Sequence, residues 1–98
     1  AAKILDESPR SDTPGKNVFT FDLKRDTAAQ GVYPNVLTSY AMACTTYGDA
    51  ATAALVKGYL SYVISADGQK AAADAAGSAP ISDALRSKIQ PSVDSIGS

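Results

Sequence analysis

The chain has 98 residues, the size of one small domain, and a domain of this length buries roughly 60–70% of the surface of its unfolded chain. Six Lys and three Arg face nine Asp and one Glu, and residues 1–31 carry five charges of each sign. Neither the whole nor this segment offers the charge surplus that draws a protein to nucleic acid or to an anionic membrane. There is no His, and Cys44 is the only cysteine, which excludes a Ser-His-Asp triad, a Cys-His dyad, the usual zinc sites and an internal disulfide.

No apolar run approaches the ~20 residues of a membrane span, and no signal peptide opens the chain. It reads as a mature protein or a piece of one. Composition shifts near residue 31: the charges thin out, and sixteen of the eighteen Ala stand at position 28 or later. Ser8 to Gly15 reads as loop, since Pro9 and Pro14 lack donors and the Ser and Asp side chains favour turns. Val18 to Leu23 alternates, with Phe19, Phe21 and Leu23 on one side, which predicts a half-buried strand.

Tyr33 to Thr46 is the longest extended candidate. Few polar charges interrupt either of its faces, so a strand covered on both sides is expected, with Pro34 near its start. Gly48-Asp49 starts a first helix with Asp49 as N-cap. Thr52, Leu55, Val56, Tyr59, Leu60, Val63 and Ile64 recur at helical spacing and predict its core stripe. Ser65 to Gly68 breaks this helix and caps a short second one through Ala76, with Gly77 at the left-handed C′ position. Ser82 or Asp83 opens a third helix, with Ile81, Leu85, Ile89, Val93 and Ile96 along one edge. Pro91 within it is expected to cost the bond to the Ser87 carbonyl and to kink or end it.

Candidate chemistry is sparse. Cys44, mid-strand with no His to activate it, reads as a buried thiol rather than a nucleophile, with pairing outside the chain as a lesser option. Tyr59 and Tyr62 read as packing, and Tyr33 as a local packing anchor. Asp49 and Asp67-Gly68-Gln69 read as helix caps before metal ligands, since no calcium-loop pattern surrounds them. Gly77 to Pro80 reads as a helix-ending turn, because neither a P-loop nor a GxGxxG accompanies it. Lys24, Arg25 and Lys57 read as solvated surface. No acid, base and oxyanion donor assemble on one framework.

The order and spacing of several segments carry a resemblance. They are Gly31-Val32-Tyr33-Pro34, Asp49-Ala50-Ala51-Thr52, Leu60 to Gln69, and Ala79-Pro80-Ile81. Together they resemble the C-terminal end of the phosphate-binding proteins of bacterial phosphate ABC transporters (the Pst system). The family shows a Tyr-Pro lead-in to a hinge-crossing strand and a helix ending in an aromatic-rich segment and a Gly-Gln turn. An Ala-rich helix, a Pro-Leu-Pro-like turn and a terminal helix follow. The turn here is Pro80-Ile81-Ser82, departing at its last position. The match covers residues 31–98 well and residues 1–30 loosely.

The resemblance implies an α/β chain, the C-terminal fragment of a type II periplasmic-binding-protein fold: strand, long hinge-crossing strand, three helices. Residues 1–31 would end the second lobe, and residues 32–98 would complete the first. It implies a non-enzymatic role in an extracytoplasmic, periplasmic or cell-surface-anchored, solute-binding protein. That protein captures inorganic phosphate and delivers it to a membrane ABC permease. The family's ligand motifs do not occur here, and Arg10, Arg25 and Arg86 match no ligand position. The chain is therefore expected to be scaffold with no catalytic, ligand-binding or metal residue and no cofactor. Unpaired edges are expected to promote self-association. Two alternatives stand beside this reading. One is a protein of the same fold for another oxyanion or solute. The other is an autonomous helical interaction module that pairs Tyr33–Thr46 with itself or a partner.

Overall fold

The computed structural model describes residues 2–12 and 15–97. Four helices follow in order: α1 (Lys3–Glu7), α2 (Ala50–Ile64), α3 (Ala66–Ala76) and α4 (Asp83–Asp94). Among the described residues there is no sheet, only two isolated bridges, antiparallel Arg10–Phe21 and parallel Thr46–Gly97. The expected α/β architecture is thus corrected to a helical one, and neither 18–23 nor 33–46 is a strand.

The reason lies in hydrogen-bond supply. A strand persists when a neighbour meets its backbone donors and acceptors. Around Phe21 the chain finds two such bonds, Ser11 N–H to the Thr20 carbonyl at 2.8 Å and Asp22 N–H to the Pro9 carbonyl at 3.0 Å. Pro9 has no N–H with which to continue that ladder. Residues 33–44 find still less, and run without helix, turn or bend.

The chain divides into two compact units, residues 1–40 and 41–98. In the first, Ile4 of α1 is the buried anchor, 1% exposed. Buried Ser8 donates its hydroxyl to the Ile4 carbonyl at 2.6 Å and accepts from Lys24 N–H at 2.9 Å. Arg10 donates to the Val18 carbonyl and lies over the Phe19 ring, 4.3 Å from its centroid. The Tyr40 hydroxyl accepts from Phe21 N–H at 3.2 Å.

The second unit holds α2 to α4, with α2 packed on both other helices. Asp49 has extended backbone, and its carboxylate accepts from Thr52 N–H at 3.0 Å and from the Thr52 hydroxyl at 2.8 Å, the expected N-cap. Ser65 both ends α2 and starts α3. Its N–H and hydroxyl donate to the Tyr62 carbonyl, and its Oγ accepts from Gly68 N–H. Gly77 takes the left-handed conformation at φ 69° and closes α3 on the Ala73 carbonyl. Ser82 caps α4 through Leu85 N–H at 3.1 Å.

Of the two outcomes expected at Pro91, a kink or an end, the end is corrected: α4 continues to Asp94. Pro91 removes a single donor, the one owed to Ser87, and Ser87 is exposed, so water can take its carbonyl. The edge expected from the sequence is the inner face of α4: Leu85, Val93 and Ile96 are buried, Ile81 and Ile89 half-buried. The core stripe expected on α2 is corrected. Ala53 is its one buried residue and Val56, Leu60, Val63 and Ile64 are half-buried, but Leu55 and Tyr59 are 74% and 66% exposed. α2 carries two apolar stripes, and α3 and α4 cover one of them.

Candidate interaction surface

The uncovered stripe of α2 borders a concavity of the second unit. Leu55, Val56, Tyr59 and Leu60 form one wall, and Ala41, Met42, Ala43 and Tyr47 the other, around a volume of about 470 Å³. Met42 is 95% exposed. The Met42 wall is anchored at its C-terminal end. Tyr47 N–H donates to the Gly97 carbonyl at 2.8 Å, Gly97 N–H to the Thr45 carbonyl at 3.1 Å, and the Tyr47 hydroxyl accepts from Cys44 N–H at 3.0 Å.

Upstream of that anchor the main chain lies in exposed residues. Among the described residues, no backbone N–H or C=O of residues 37–43 takes part in a hydrogen bond. Residues 27–48 contain no charged side chain. The surface of the second unit combines apolar side chains with the exposed main chain of Ala41–Ala43. None of its lining residues is an acid or a base.

The residues singled out from the sequence fall elsewhere or in other states. Cys44 is exposed, not buried, because the run that carries it is not enclosed in a sheet. Tyr33 is exposed for the same reason, and Tyr59 and Tyr62 are exposed on the part of α2 that no helix covers, so none is the packing residue expected of it. Asp49 is an exposed cap whose carboxyl is held below the usual 3.8, chiefly by the Thr52 hydroxyl and then by the Thr52 and Ala51 amides. Asp67 lies in the first turn of α3, where its charge suits the helix end. No group of three His, Cys, Asp or Glu residues able to hold a metal occurs among the described residues.

The three arginines and Lys57 donate to carbonyls. Arg25 donates to the carbonyls of Pro34 at 3.1 Å and Val36 at 3.0 Å. Lys57 donates to the Asp94 carbonyl at 2.7 Å, at the negative end of α4. Arg86 Nε donates to the Ile64 carbonyl at 2.7 Å, at the end of α2, and its guanidinium pairs with Asp83. Sequence reasoning passed over Gln69 as a structural clamp and over α1 with its Ile4 anchor. It also missed the exposure of Leu37, at 96%. Only the uncharged length of 27–48 signalled the surface itself. Compared with protein-family models, with curated proteins and with solved structures, the chain matches none of them.

Proposed function

We propose that this chain is a scaffold portion of an extracytoplasmic solute-binding protein that captures inorganic phosphate for import through an ABC permease. The carrying observation is the order of elements after residue 48. A helix capped by Asp49, the Ser65–Gln69 junction, an Ala-rich helix closed by Gly77, a Pro80 turn and a terminal helix follow one another. That is the sequence of segments on which the resemblance to the phosphate-binding proteins rests. Arg10, Arg25 and Arg86 each spend donors on backbone carbonyls, in keeping with a structural part. On this reading the chain makes and breaks no bond, and phosphate is held by residues outside it.

The test is complementation. A phosphate-binding protein truncated before its own Tyr-Pro lead-in is mixed with the 98-residue chain and titrated calorimetrically with phosphate. Micromolar binding by the mixture, and by neither part alone, is the expected result. A mixture that binds no phosphate, or a lone chain that binds at micromolar level, rejects the proposal.

A second reading has its own support. The helical architecture and the unfilled apolar groove favour an autonomous interaction module. A partner-dependent change in circular dichroism, without any phosphate dependence, would select it.

A further inference from the structure

We infer that residues 34–39 of the first unit are held as a peptidase substrate, and that an endopeptidase with an apolar primary pocket cuts the native chain at the Leu37–Thr38 bond. The carrying observation is that Arg25 holds one edge of this run and leaves the other open. Its Nη1 donates to the Pro34 carbonyl at 3.1 Å and to the Val36 carbonyl at 3.0 Å. Burial alternates along the run, with Pro34, Val36 and Thr38 half-buried and Asn35, Leu37 and Ser39 exposed, the period of extended chain. In such a chain the N–H and C=O of one residue point to one edge and those of the next to the other. Pro34 and Val36 therefore face Arg25. The peptide groups of Asn35 and Leu37 face away and are open to water, since no hydrogen bond among the described residues engages them.

Endopeptidases take their substrates in this form. The substrate lies extended against the enzyme, alternate residues exchange main-chain bonds along one edge, and the side chain before the scissile bond enters a pocket that sets specificity. Asn35 and Leu37 offer the free edge and the exposed side chains in one register. Leu37 is 96% exposed, so it reaches such a pocket without any unfolding. Residues 27–48 carry no charge, so the pocket that fits is apolar rather than one built for Lys or Arg. The peptidase adds water across the bond. The Leu37 carbonyl carbon loses the Thr38 nitrogen and gains the water oxygen, leaving a carboxylate on Leu37 and an ammonium on Thr38.

Other exposed apolar side chains each lack one requirement. Leu55, Tyr59 and Tyr62 lie in α2, whose main chain is spent on helical bonds. Tyr33 is followed by Pro34, whose ring replaces the N–H at the bond to be cut. The Tyr40 hydroxyl is tied to Phe21 N–H at 3.2 Å. Met42 has no counterpart of Arg25 on the carbonyls beside it among the described residues.

This inference stands apart from the phosphate reading, because the position of the cut does not depend on what the chain binds. The experiment is brief digestion of the native 98-residue chain with dilute subtilisin, a serine endopeptidase with an apolar pocket, followed by mass spectrometry of the whole digest. The expected first products are residues 1–37 and 38–98. Their rate of appearance should be proportional to subtilisin and unchanged by sub-denaturing urea, since no opening precedes the cut. Leu37→Asp alters a side chain already in solvent, so it should leave the thermal melt unmoved while slowing this cut more than about a hundredfold. Arg25→Ala should slow it more than about fivefold and scatter the first cuts along residues 33–43, because the run is no longer held in register. A first cut at any other bond overturns the proposal, as does a rate that rises with urea. So does an Arg25→Ala chain cut at Leu37 as fast as the natural one, or a Leu37→Asp chain still cut there.

Discussion

Gln69 and Ile81 are tied side chain to main chain. The Gln69 Oε1 accepts from Ile81 N–H at 3.0 Å, while its Nε2 donates to the Val63 carbonyl at 2.8 Å. One amide thus joins the last turn of α2, the first turn of α3 and the lead-in to α4. Gln69 is half-buried, and so are Val63 and Ile81, so water replaces these bonds poorly. Gln69→Ala is expected to lower stability by about 2 kcal/mol, one for each lost bond. Gln69→Glu keeps the acceptor for Ile81 and turns a carboxylate toward the Val63 carbonyl, so it does not rescue. Urea unfolding followed by circular dichroism measures both.

Gly68 and Gly58 make an opposed pair. A Cβ at Gly68 would overlap the Tyr62 carbonyl oxygen and stand 2.9 Å from the Tyr62 carbonyl carbon. That contact is backbone on both sides, and it is where α2 hands over to α3. Gly68→Ala must part the two helices and is expected to cost about 3 kcal/mol, the scale of backbone overpacking. Gly58 lies inside α2 with nothing within 4 Å of its Cβ position. Gly58→Ala is therefore expected to stabilise by about 0.5–1 kcal/mol, through helix propensity alone. Thermal melts of the two variants should move in opposite directions.

The contrast between local and non-local signals explains what the sequence disclosed. Asp49, Ser65, Gly77 and Ser82 act through bonds spanning three or four residues, so their capping roles were legible from neighbours in the chain. The inner edge of α4 was legible because its period needs no knowledge of the partner. The strand at 33–46 was not, because alternation shows what a segment would bury if a neighbour existed and says nothing of the neighbour. Burial still alternates there: Val32, Pro34, Val36 and Thr38 are half-buried, while Tyr33, Asn35, Leu37 and Ser39 are exposed. The period is present and the ladder is not. Leu55 and Tyr59 misled for the same reason, since α2 is apolar on two sides and the sequence does not say which side is covered. Gln69 was hidden because its bonds reach six and twelve residues along the chain.

Asp49 makes the N-terminus of α2 sensitive to acid. Its carboxyl lies below the usual 3.8 in the folded chain because the Thr52 hydroxyl and the Thr52 and Ala51 amides favour the charged form. The unfolded chain therefore takes up this proton first as pH falls. The cap's contribution is full above about the unfolded value and is lost as pH drops through the lower, folded one. Between neutral pH and about pH 5 the contribution of Asp49 to the melting temperature should be constant, and below the usual carboxylate value it should fall. Asp49→Asn keeps the acceptor, since Asn caps as well as Asp, and should flatten this part of the acid dependence. Asp49→Ala should lower the melting temperature at neutral pH as well. Melts of the three chains across this range distinguish charge from capping.

Pro91 offers a test of how much a helix gives up to retain a proline near its end. α4 continues for three residues beyond it, and the Pro91 carbonyl still accepts from Ser95 N–H at 3.1 Å. What is missing is the donor to Ser87, together with the relief of the ring's crowding of that carbonyl. Pro91 is exposed, so replacing it empties no core space. Pro91→Ala restores the donor and adds the best helix former, against the extra freedom the unfolded chain regains when proline is removed. The balance favours the substitution by about 1–2 kcal/mol, since the interior-helix cost of proline exceeds its unfolded-state benefit. Amide exchange gives a local readout. In Pro91→Ala the new residue-91 amide should be protected, and the amides of Ser92 to Ser95 should exchange more slowly than in the natural chain. Unchanged exchange at those positions, with no gain in stability, would mean that Ser87 already meets its bond through water and that the ring causes no strain.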